Sequence, residues 1–313
     1  MKLATARVRP LIAVGTGLAA VGVAALLGPP SVAKASQTQL AAAASAPAEG
    51  AYWHTRVLTQ RTGPRQMGSG ANRYWVVEQA LTEEWTAPDG KTWLGYRNAG
   101  AYPKSAADRK AWRRDGSPAK WTRTADGQVV KLSTEPDKGH VGPVRGRDSD
   151  KFFLAGQWLT YDEVQRLPAD PNGLKSWLSE AARVSRVKQN DVDQFVTGTL
   201  PEMLHRLPAP KNVRAAAYQL LQTMPAVRSQ GQSKDGMGRA GAALSIDHPT
   251  VVQKNGLTIK EQTGLIVDTG TMLLLSKSRT TAISGKLSLN EATTDTMLET
   301  GWTNNAPAVP ALP

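Results

Sequence analysis

Cysteine is absent from the 313-residue chain, and histidine occurs only four times. Without cysteine there are no disulfide bonds, no thiolate nucleophile and no cysteine-ligated zinc or iron–sulfur site. The histidines share no metal-ligand spacing such as i and i+4; they are His54, His140, His205 and His248. No glycine-rich loop ends in Lys followed by Ser or Thr, so a nucleotide phosphate loop is excluded as well. The sequence therefore predicts no metal and no cofactor.

Acidic residues are also few, with 26 Asp and Glu against 38 Lys and Arg, and the formal net charge is +12. Four of the cations precede Ser36, where no acid occurs; they are Lys2, Arg7, Arg9 and Lys34. Subtracting these four leaves +8 for the remainder of the chain. A basic domain attracts anionic partners such as lipid headgroups, wall polyanions or nucleic acid, and the charge alone does not choose among them.

A charge-free apolar run covers residues 11–27 and follows a segment with three cations. This pattern is typical of a secretory signal peptide or an uncleaved membrane anchor, and both alternatives stay open. Ala33-Lys34-Ala35 offers a small-x-small cleavage site. We therefore predict a leader at 1–35, an Ala-rich linker at 36–50, one extracytoplasmic domain at 51–303 and a flexible tail at 304–313.

Alternating aromatic and β-branched residues predict antiparallel strands in the first part of the domain, for example at 52–58 and 91–97. Helical spacing predicts three central helices, the first after an N-cap at Asp170, the second near 191–193 and the third from Lys211. Short strands separated by Gly and Pro then return. This order predicts an α+β fold, with a curved antiparallel sheet of two meanders packed against about three central helices.

Tryptophan is abundant in the first meander, and two arginines adjoin one of these tryptophans. Aromatic side chains can line a ligand concavity, although they fill cores as readily. The alternative is a solvated turn at 115–118 with tryptophans turned inward, its positive charge diluted by Asp108 and Asp115. The candidate ligand-binding residues are Trp75, Trp85, Trp93, Trp112 and Trp121 in the concavity, and Arg113 and Arg114 at its rim.

Apolar residues flank Asp268-Thr-Gly-Thr271, and this pattern is the sequence motif of the catalytic loop of an aspartic protease. That reaction needs two carboxylates sharing a proton, and the chain contains a single Asp-Thr-Gly, so a protease would have to be a dimer. The same letters form an ordinary hairpin corner with Asp268 capping the turn and Gly270 at positive φ. We favour the turn and keep Asp268 as the one catalytic candidate.

Turn and core residues scattered through the chain also carry a resemblance. They are Trp85-x3-Asp89-Gly90, Asp115-Gly-Ser-Pro118, Leu167-Pro-Ala-Asp-Pro171, Asp235-Gly-Met-Gly-Arg239 and Asp268-Thr-Gly270. In this order they resemble a family of actinobacterial membrane-anchored or exported proteins of unknown function, often encoded beside extracytoplasmic-type sigma factors. That family has no assigned catalytic residues, so the resemblance implies none here. More loosely, the chain resembles lipoprotein-carrier and sigma-regulator periplasmic domains, in which a curved sheet cradles helices.

Together these features predict a non-enzymatic binding or sensing domain of the cell envelope, secreted or held at the outer face of the cytoplasmic membrane through residues 11–27. Its expected partner is a hydrophobic or anionic envelope ligand or a membrane-associated signalling protein, and not nucleic acid. The alternative is an aspartic-protease-like hydrolase that uses Asp268 in a dimer.

Overall fold

The computed structural model describes residues 49–313 except 64–65, 126–127, 146–150, 254–255 and 286–288. The expected leader at 1–35 and all but the end of the linker lie outside the described residues. In the part of the chain that is described, no helix combines the length and the hydropathy that a bilayer crossing requires.

One antiparallel sheet of ten strands organises the described chain. Its order is β6-β3-β2-β1-β14-β13-β12-β10-β9, and a short β11 pairs with β12 beside this path. The first and last strands are neighbours in the middle, so the two predicted meanders form one continuous sheet. The strands are β1 Tyr52–Thr62, β2 Val76–Thr86, β3 Thr92–Pro103, β6 His140–Pro143, β9 Val227–Lys234, β10 Ala240–Asp247, β11 Val251–Val252, β12 Thr258–Asp268, β13 Leu273–Ser284 and β14 Leu289–Thr303.

Two hairpins and five α-helices complete the described elements. The hairpins pair β4 with β5 and β7 with β8, and their strands are β4 Lys120–Ala125, β5 Gln128–Ser133, β7 Phe152–Leu154 and β8 Gln157–Leu159. The helices are α1 Ala106–Arg114, α2 Tyr161–Gln165, α3 Pro171–Val184, α4 Val192–Met203 and α5 Lys211–Thr223, with a 3₁₀ turn at Gln189–Asp191. The α+β class is thereby confirmed.

The three central helices begin where their sequence signals place them. Asp170 has extended backbone angles and accepts a hydrogen bond from the Gly173 amide at 2.7 Å, and Pro171 follows as the first helical residue. A carboxylate in this position satisfies an amide that has no partner within the helix, and proline there lacks an amide that would need one. The α3 N-terminus is therefore fixed by two adjacent residues.

One side of the sheet, which we call the helix face, packs against α2 to α5. Leu244, Leu265, Leu274 and Met297 point into this layer from four different strands and are nearly inaccessible. They meet a buried set from the helices and the β7–β8 hairpin: Leu154, Val164, Leu174, Leu178, Val196, Leu200, Met203, Val213, Ala217 and Leu221. Sheet and helices thus contact each other directly through a continuous apolar core.

The same face is covered at its other end by α1 and the β4–β5 hairpin. Val76 and Thr82 are an even number of residues apart on β2, so their side chains lie on the same face. Thr82 pairs with Val57 of β1, and Val57 pairs with Met297 of β14, which lies on the helix face. Val76 belongs to a second apolar cluster with Met67, Tyr74, Ala101, Ala111, Trp121 and Leu132. The first half of the chain therefore has a small core of its own on the helix face.

The opposite side of the sheet, which we call the tail face, carries residues 304–313. The sequence predicts a flexible tail here, and three contacts join its end to the sheet. Pro310 is buried, Arg56 Nη2 donates to the Ala311 carbonyl at 2.7 Å, and Arg97 Nη1 donates to the Pro310 carbonyl at 3.2 Å. Proline restricts the unfolded chain, so Pro307 and Pro310 reduce the entropy lost when this segment is ordered.

Candidate anion-binding surface

Helix α1, at Ala106–Arg114, directly precedes residues 115–118, where the sequence predicts a solvated turn. Ser105 has extended backbone angles and its hydroxyl accepts a hydrogen bond from the Asp108 amide at 3.1 Å, so it caps the helix. Ala111 is buried and Trp112 packs beside it, which fixes one side of the helix on the small core. Arg113 and Arg114 lie in the last turn, where cations interact favourably with the helix dipole.

Both acids near α1 are engaged by groups inside the domain. Asp108 accepts hydrogen bonds from the Trp75 amide at 2.8 Å and from the Ser105 hydroxyl at 2.5 Å. Asp115 accepts a hydrogen bond from the Tyr74 hydroxyl at 2.9 Å. These donors are neutral groups, so the hydrogen bonds hold the two carboxylates in place without cancelling their charge beside α1.

Tyr74 and Trp121 form the rigid support beneath the helix. Tyr74 is completely buried, and its hydroxyl accepts a hydrogen bond from Trp121 Nε1 at 3.0 Å while it donates to Asp115. Burial raises the pKa of Tyr74, and the hydrogen bond to Asp115 acts in the same direction. The phenol therefore stays neutral at physiological pH and can act as donor and acceptor at once. Trp112 is held separately by a bond from Nε1 to the Pro118 carbonyl at 3.0 Å.

The exposed side of α1 carries four cations. Arg109, Lys110, Arg113 and Arg114 are exposed, and we call this set the cationic face. None of the four forms an ion pair with any described residue, although Arg114 Nε donates to the Asn72 side-chain carbonyl at 3.1 Å. Four positive charges thus face solvent on a helix of nine residues, and within the described chain none of them is directly paired with an acid.

Further exposed cations belong to the segments around α1. Trp121 and Leu132 are opposite each other in the β4–β5 hairpin and both point into the small core. Because side chains alternate along a strand, Lys120 and Lys131 lie on the solvent side of the hairpin, where both are exposed. Val129 of the same hairpin exposes 61% of its surface. The cationic face is thus extended by basic residues and one exposed apolar side chain.

The candidate residues predicted from sequence are not brought together at one concavity. Alternation along β2 puts Trp85 on the tail face and Val76, with the small core, on the helix face. Trp93 is opposite Trp85 and also lies on the tail face. Trp112 and Trp121 instead pack in the small core on the helix face. Trp75 lines a separate open cavity of about 280 Å³ beside Lys104, Thr281 and Glu291. Arg113 and Arg114 alone share an exposed surface.

A larger open groove, of about 660 Å³, lies between α3 and α4. Its charged side chains are paired with one another: Arg183 with Glu180 at 2.5 Å and Lys175 with Asp193 at 3.8 Å. The groove therefore offers no surplus of either sign, in contrast to the cationic face.

Asp268 is engaged by its own turn. One carboxylate oxygen accepts the Gly270 amide at 2.8 Å and the other accepts the Thr271 hydroxyl at 2.7 Å. The Thr271 bond lowers the pKa of Asp268, which is opposite to the raised pKa of a carboxyl that must hold a shared proton. Gly270 does not have positive φ; Met272 does, at 57°, because the turn closes through a bond from its amide to the Asp268 carbonyl.

Comparisons with known proteins add little to this geometry. No protein-family model matches the chain, and no curated protein matches it. Among solved structures, a lipovitellin chain described under lipid–protein interactions in lipovitellin is similar at 7% sequence identity and a TM-score of 0.22. The alignment covers 85% of this chain and 26% of that chain. A TM-score this low does not indicate a common fold.

Proposed function

We propose that this chain is a binding domain of the cell envelope that attaches to an anionic, phosphate-bearing surface through the cationic face of α1. One observation carries the proposal: α1 exposes four cations, and none of them forms an ion pair with a residue that the structure describes. A ligand held in an apolar cavity between sheet and helices has less support, because the apolar core fills that interval. The apolar run at 11–27 supports a location outside the cytoplasm, by secretion or anchoring.

The ligand chemistry follows from the side chains. Arginine presents paired donors to phosphate oxygens, and lysine adds a point charge. Each basic residue near an anionic bilayer contributes about 1 kcal/mol of attraction, so the four together would provide about 4 kcal/mol. Val129 of the β4–β5 hairpin, which packs on the same small core as α1, adds an exposed apolar side chain. Phospholipid headgroups and soluble phosphate polymers share this chemistry, and the experiment below distinguishes them.

The test is sedimentation of residues 49–313 with vesicles, since the leader would itself bind lipid. Vesicles of phosphatidylcholine with phosphatidylglycerol are compared with phosphatidylcholine alone, and soluble polyphosphate serves as a competitor. We expect binding to the anionic vesicles only, and weaker binding at high salt because ions screen exposed charges. Removing two cations in Arg113→Gln/Arg114→Gln should weaken binding by about thirtyfold, the equivalent of about 2 kcal/mol.

The matched control removes the same charge at the far edge of the sheet. Arg228→Gln/Lys234→Gln changes two exposed cations of β9 and should leave vesicle binding within about twofold of the unaltered chain. Equal losses in the two double variants would show that net charge alone drives binding and would refute a site at α1. Binding to polyphosphate without binding to vesicles would assign the surface to soluble polymers.

A further inference from the structure

The tail face carries a groove that a proline-containing segment of the chain fills. We call it the tail groove; its residues are Arg56, Trp85, Gly95, Arg97 and Gly139. The segment that occupies it is 307–311. This surface is independent of the cationic face, because it lies on the opposite side of the sheet.

The centre of the groove is a contact between a proline ring and a strand without a side chain. A Cβ atom at Gly95 would lie 3.0 Å from Pro310 Cδ and 3.1 Å from the Trp85 ring. Trp85 is 3% exposed and stacks on His54 with ring centroids 5.0 Å apart. A proline seated beside a fixed indole is how aromatic-lined grooves recognise extended proline-rich segments. Glycine at 95 is what makes room for the ring.

Two arginines recognise the main chain of the segment. Arg97 donates to the Pro310 carbonyl and Arg56 donates to the Ala311 carbonyl. Main-chain carbonyls are present in every peptide, so these bonds select an extended backbone and not particular side chains. The groove therefore requires one proline in an extended chain.

Arg56 is held in place by two acids of the sheet. Its Nη1 is 3.1 Å from Glu299 and its Nε is 3.2 Å from Glu83. Glu83 in turn is 3.0 Å from His54, and both are largely buried. A partly buried network of this size costs desolvation, and it fixes the direction in which Arg56 presents its free donor. The groove is thus pre-organised on the folded sheet.

The segment itself is held loosely in comparison. Of residues 304–313 Pro310 alone is buried, while Val309 beside Gly139 is 40% exposed. Its contacts with Gly95 and the two arginines are made by the Pro310 ring and by the carbonyls of Pro310 and Ala311. A pre-organised site with a lightly held internal occupant has the properties of a peptide site under intramolecular competition.

We propose that the tail groove is a docking site for an extended, proline-containing segment of a partner protein, and that residues 307–311 occupy it as an internal competitor. The partner segment has an apolar residue directly before the proline, as Val309-Pro310 does. Binding of the partner displaces the tail from the sheet.

The experiment measures fluorescence polarisation of a labelled peptide, Ala-Pro-Ala-Val-Pro-Ala, added to the full chain. Pro310→Gly removes the ring of the internal occupant and leaves the groove intact, so this variant should bind the peptide at least about tenfold more tightly than the unaltered chain. In the Pro310→Gly background, Gly95→Ala should weaken the peptide at least about tenfold, because its Cβ fills the proline position. Gly142→Ala on the adjacent β6, where a Cβ meets no atom within 4 Å, is the matched control and should change nothing.

Arg97→Gln, also in the Pro310→Gly background, provides a second test if Gly95→Ala fails to fold, and it should weaken the peptide severalfold. A peptide with both prolines replaced by alanine should bind at least about tenfold more weakly. Absence of peptide binding to Pro310→Gly, or equal binding by the Gly95→Ala form, overturns the proposal. A dimer of the unaltered chain that disappears in Pro310→Gly also overturns it, since the occupant would then be the tail of a second copy.

Discussion

His205 shows at the scale of one residue how the fold sets a protonation state. Its Nδ1 donates to the Pro201 carbonyl at 2.9 Å, and its own carbonyl accepts a hydrogen bond from Trp53 Nε1 at 3.0 Å. Burial lowers the pKa of His205 to about 4, partly offset by the Pro201 bond, and the positive charges of Lys277 and Arg206 act in the same direction as burial. The imidazole is therefore neutral at pH 7.

This state makes folding stability depend on pH. The pKa of an unfolded histidine is about 6.5, so the unfolded chain takes up a proton first as the pH falls. The contribution of His205 is fully present above pH 6.5 and is lost as the pH falls towards 4. We expect the unaltered chain to lose about 2 kcal/mol more than His205→Asn between pH 7 and 4.5 in urea unfolding. His140→Asn, an exposed histidine, should keep the full pH dependence; an unchanged slope in His205→Asn would contradict the assignment.

The turn at Asp268 shows how far single residues can be interpreted from sequence. Asp268 was expected to cap a corner, and its carboxylate does bond the Gly270 amide. Positive φ was expected at Gly270, because glycine adopts it without steric cost, but it falls on Met272. The hydrogen bond from the Met272 amide to the Asp268 carbonyl closes the turn over five residues and so places the positive φ at Met272. No single residue type in the turn predicts a closure of this length.

Helix α1 is the element on which the proposed function depends, and its cap can be tested. Removing an N-cap hydroxyl costs about 1 kcal/mol of stability, so Ser105→Ala should lower the free energy of unfolding by about that amount. Asp108 also loses a hydrogen-bond donor in this variant. The measurement is urea unfolding followed by circular dichroism.

Ser176→Ala is the control for that substitution. Ser176 is exposed in the interior of α3, where alanine has the higher helix propensity, so stability should rise by up to about 0.5 kcal/mol. The same chemical change is therefore expected to act in opposite directions at the two positions. Equal effects would show that Ser105 does not cap α1.

The sequence predicts some helices better than others, because their capping residues and apolar periodicity differ in strength. Helix α3 has an Asp-Pro start and a long apolar stripe, and it was predicted correctly. Helix α1 is nine residues long and buries Ala111 with support from Trp112, which is too little for periodicity to show. The spacing Ser105-x-x-Asp108 was its available signal. The cationic face was therefore missed as a surface, although Arg113 and Arg114 were among the candidate residues and lie on it.

At the scale of the whole molecule, Arg239 ties the β9–β10 turn to the centre of the sheet. The β12–β13 register skips Leu275, and the β1–β14 register skips the residue after Met297. Such bulges interrupt the ladder of hydrogen bonds. Arg239 Nη2 donates to the carbonyls of both Leu275 and Met297, and also pairs with Asp235 at 2.6 Å.

The Asp235 side chain in this cluster is fully buried, so Arg239 is its counter-charge. Burial alone would raise the pKa of Asp235, but the hydrogen bonds from Arg239 and from the Met237 amide hold it below its usual value. Removing the cation leaves a buried carboxylate uncompensated and two bulge carbonyls without their donor. We expect Arg239→Met to cost about 3 kcal/mol in the free energy of unfolding.

Arg279→Met is the matched control, because Arg279 pairs with Glu261 at the surface of the same sheet and is half exposed. An exposed pair contributes about 0 to 1 kcal/mol, so this variant should remain close to the unaltered chain. Asp235→Asn/Arg239→Met removes both charges and should be more stable than Arg239→Met alone, since the uncompensated carboxylate is gone. If Arg239→Met lowered the free energy of unfolding by less than about 1 kcal/mol, the two bulges and the junction of both meanders at β14 would not depend on the hydrogen bonds of Arg239.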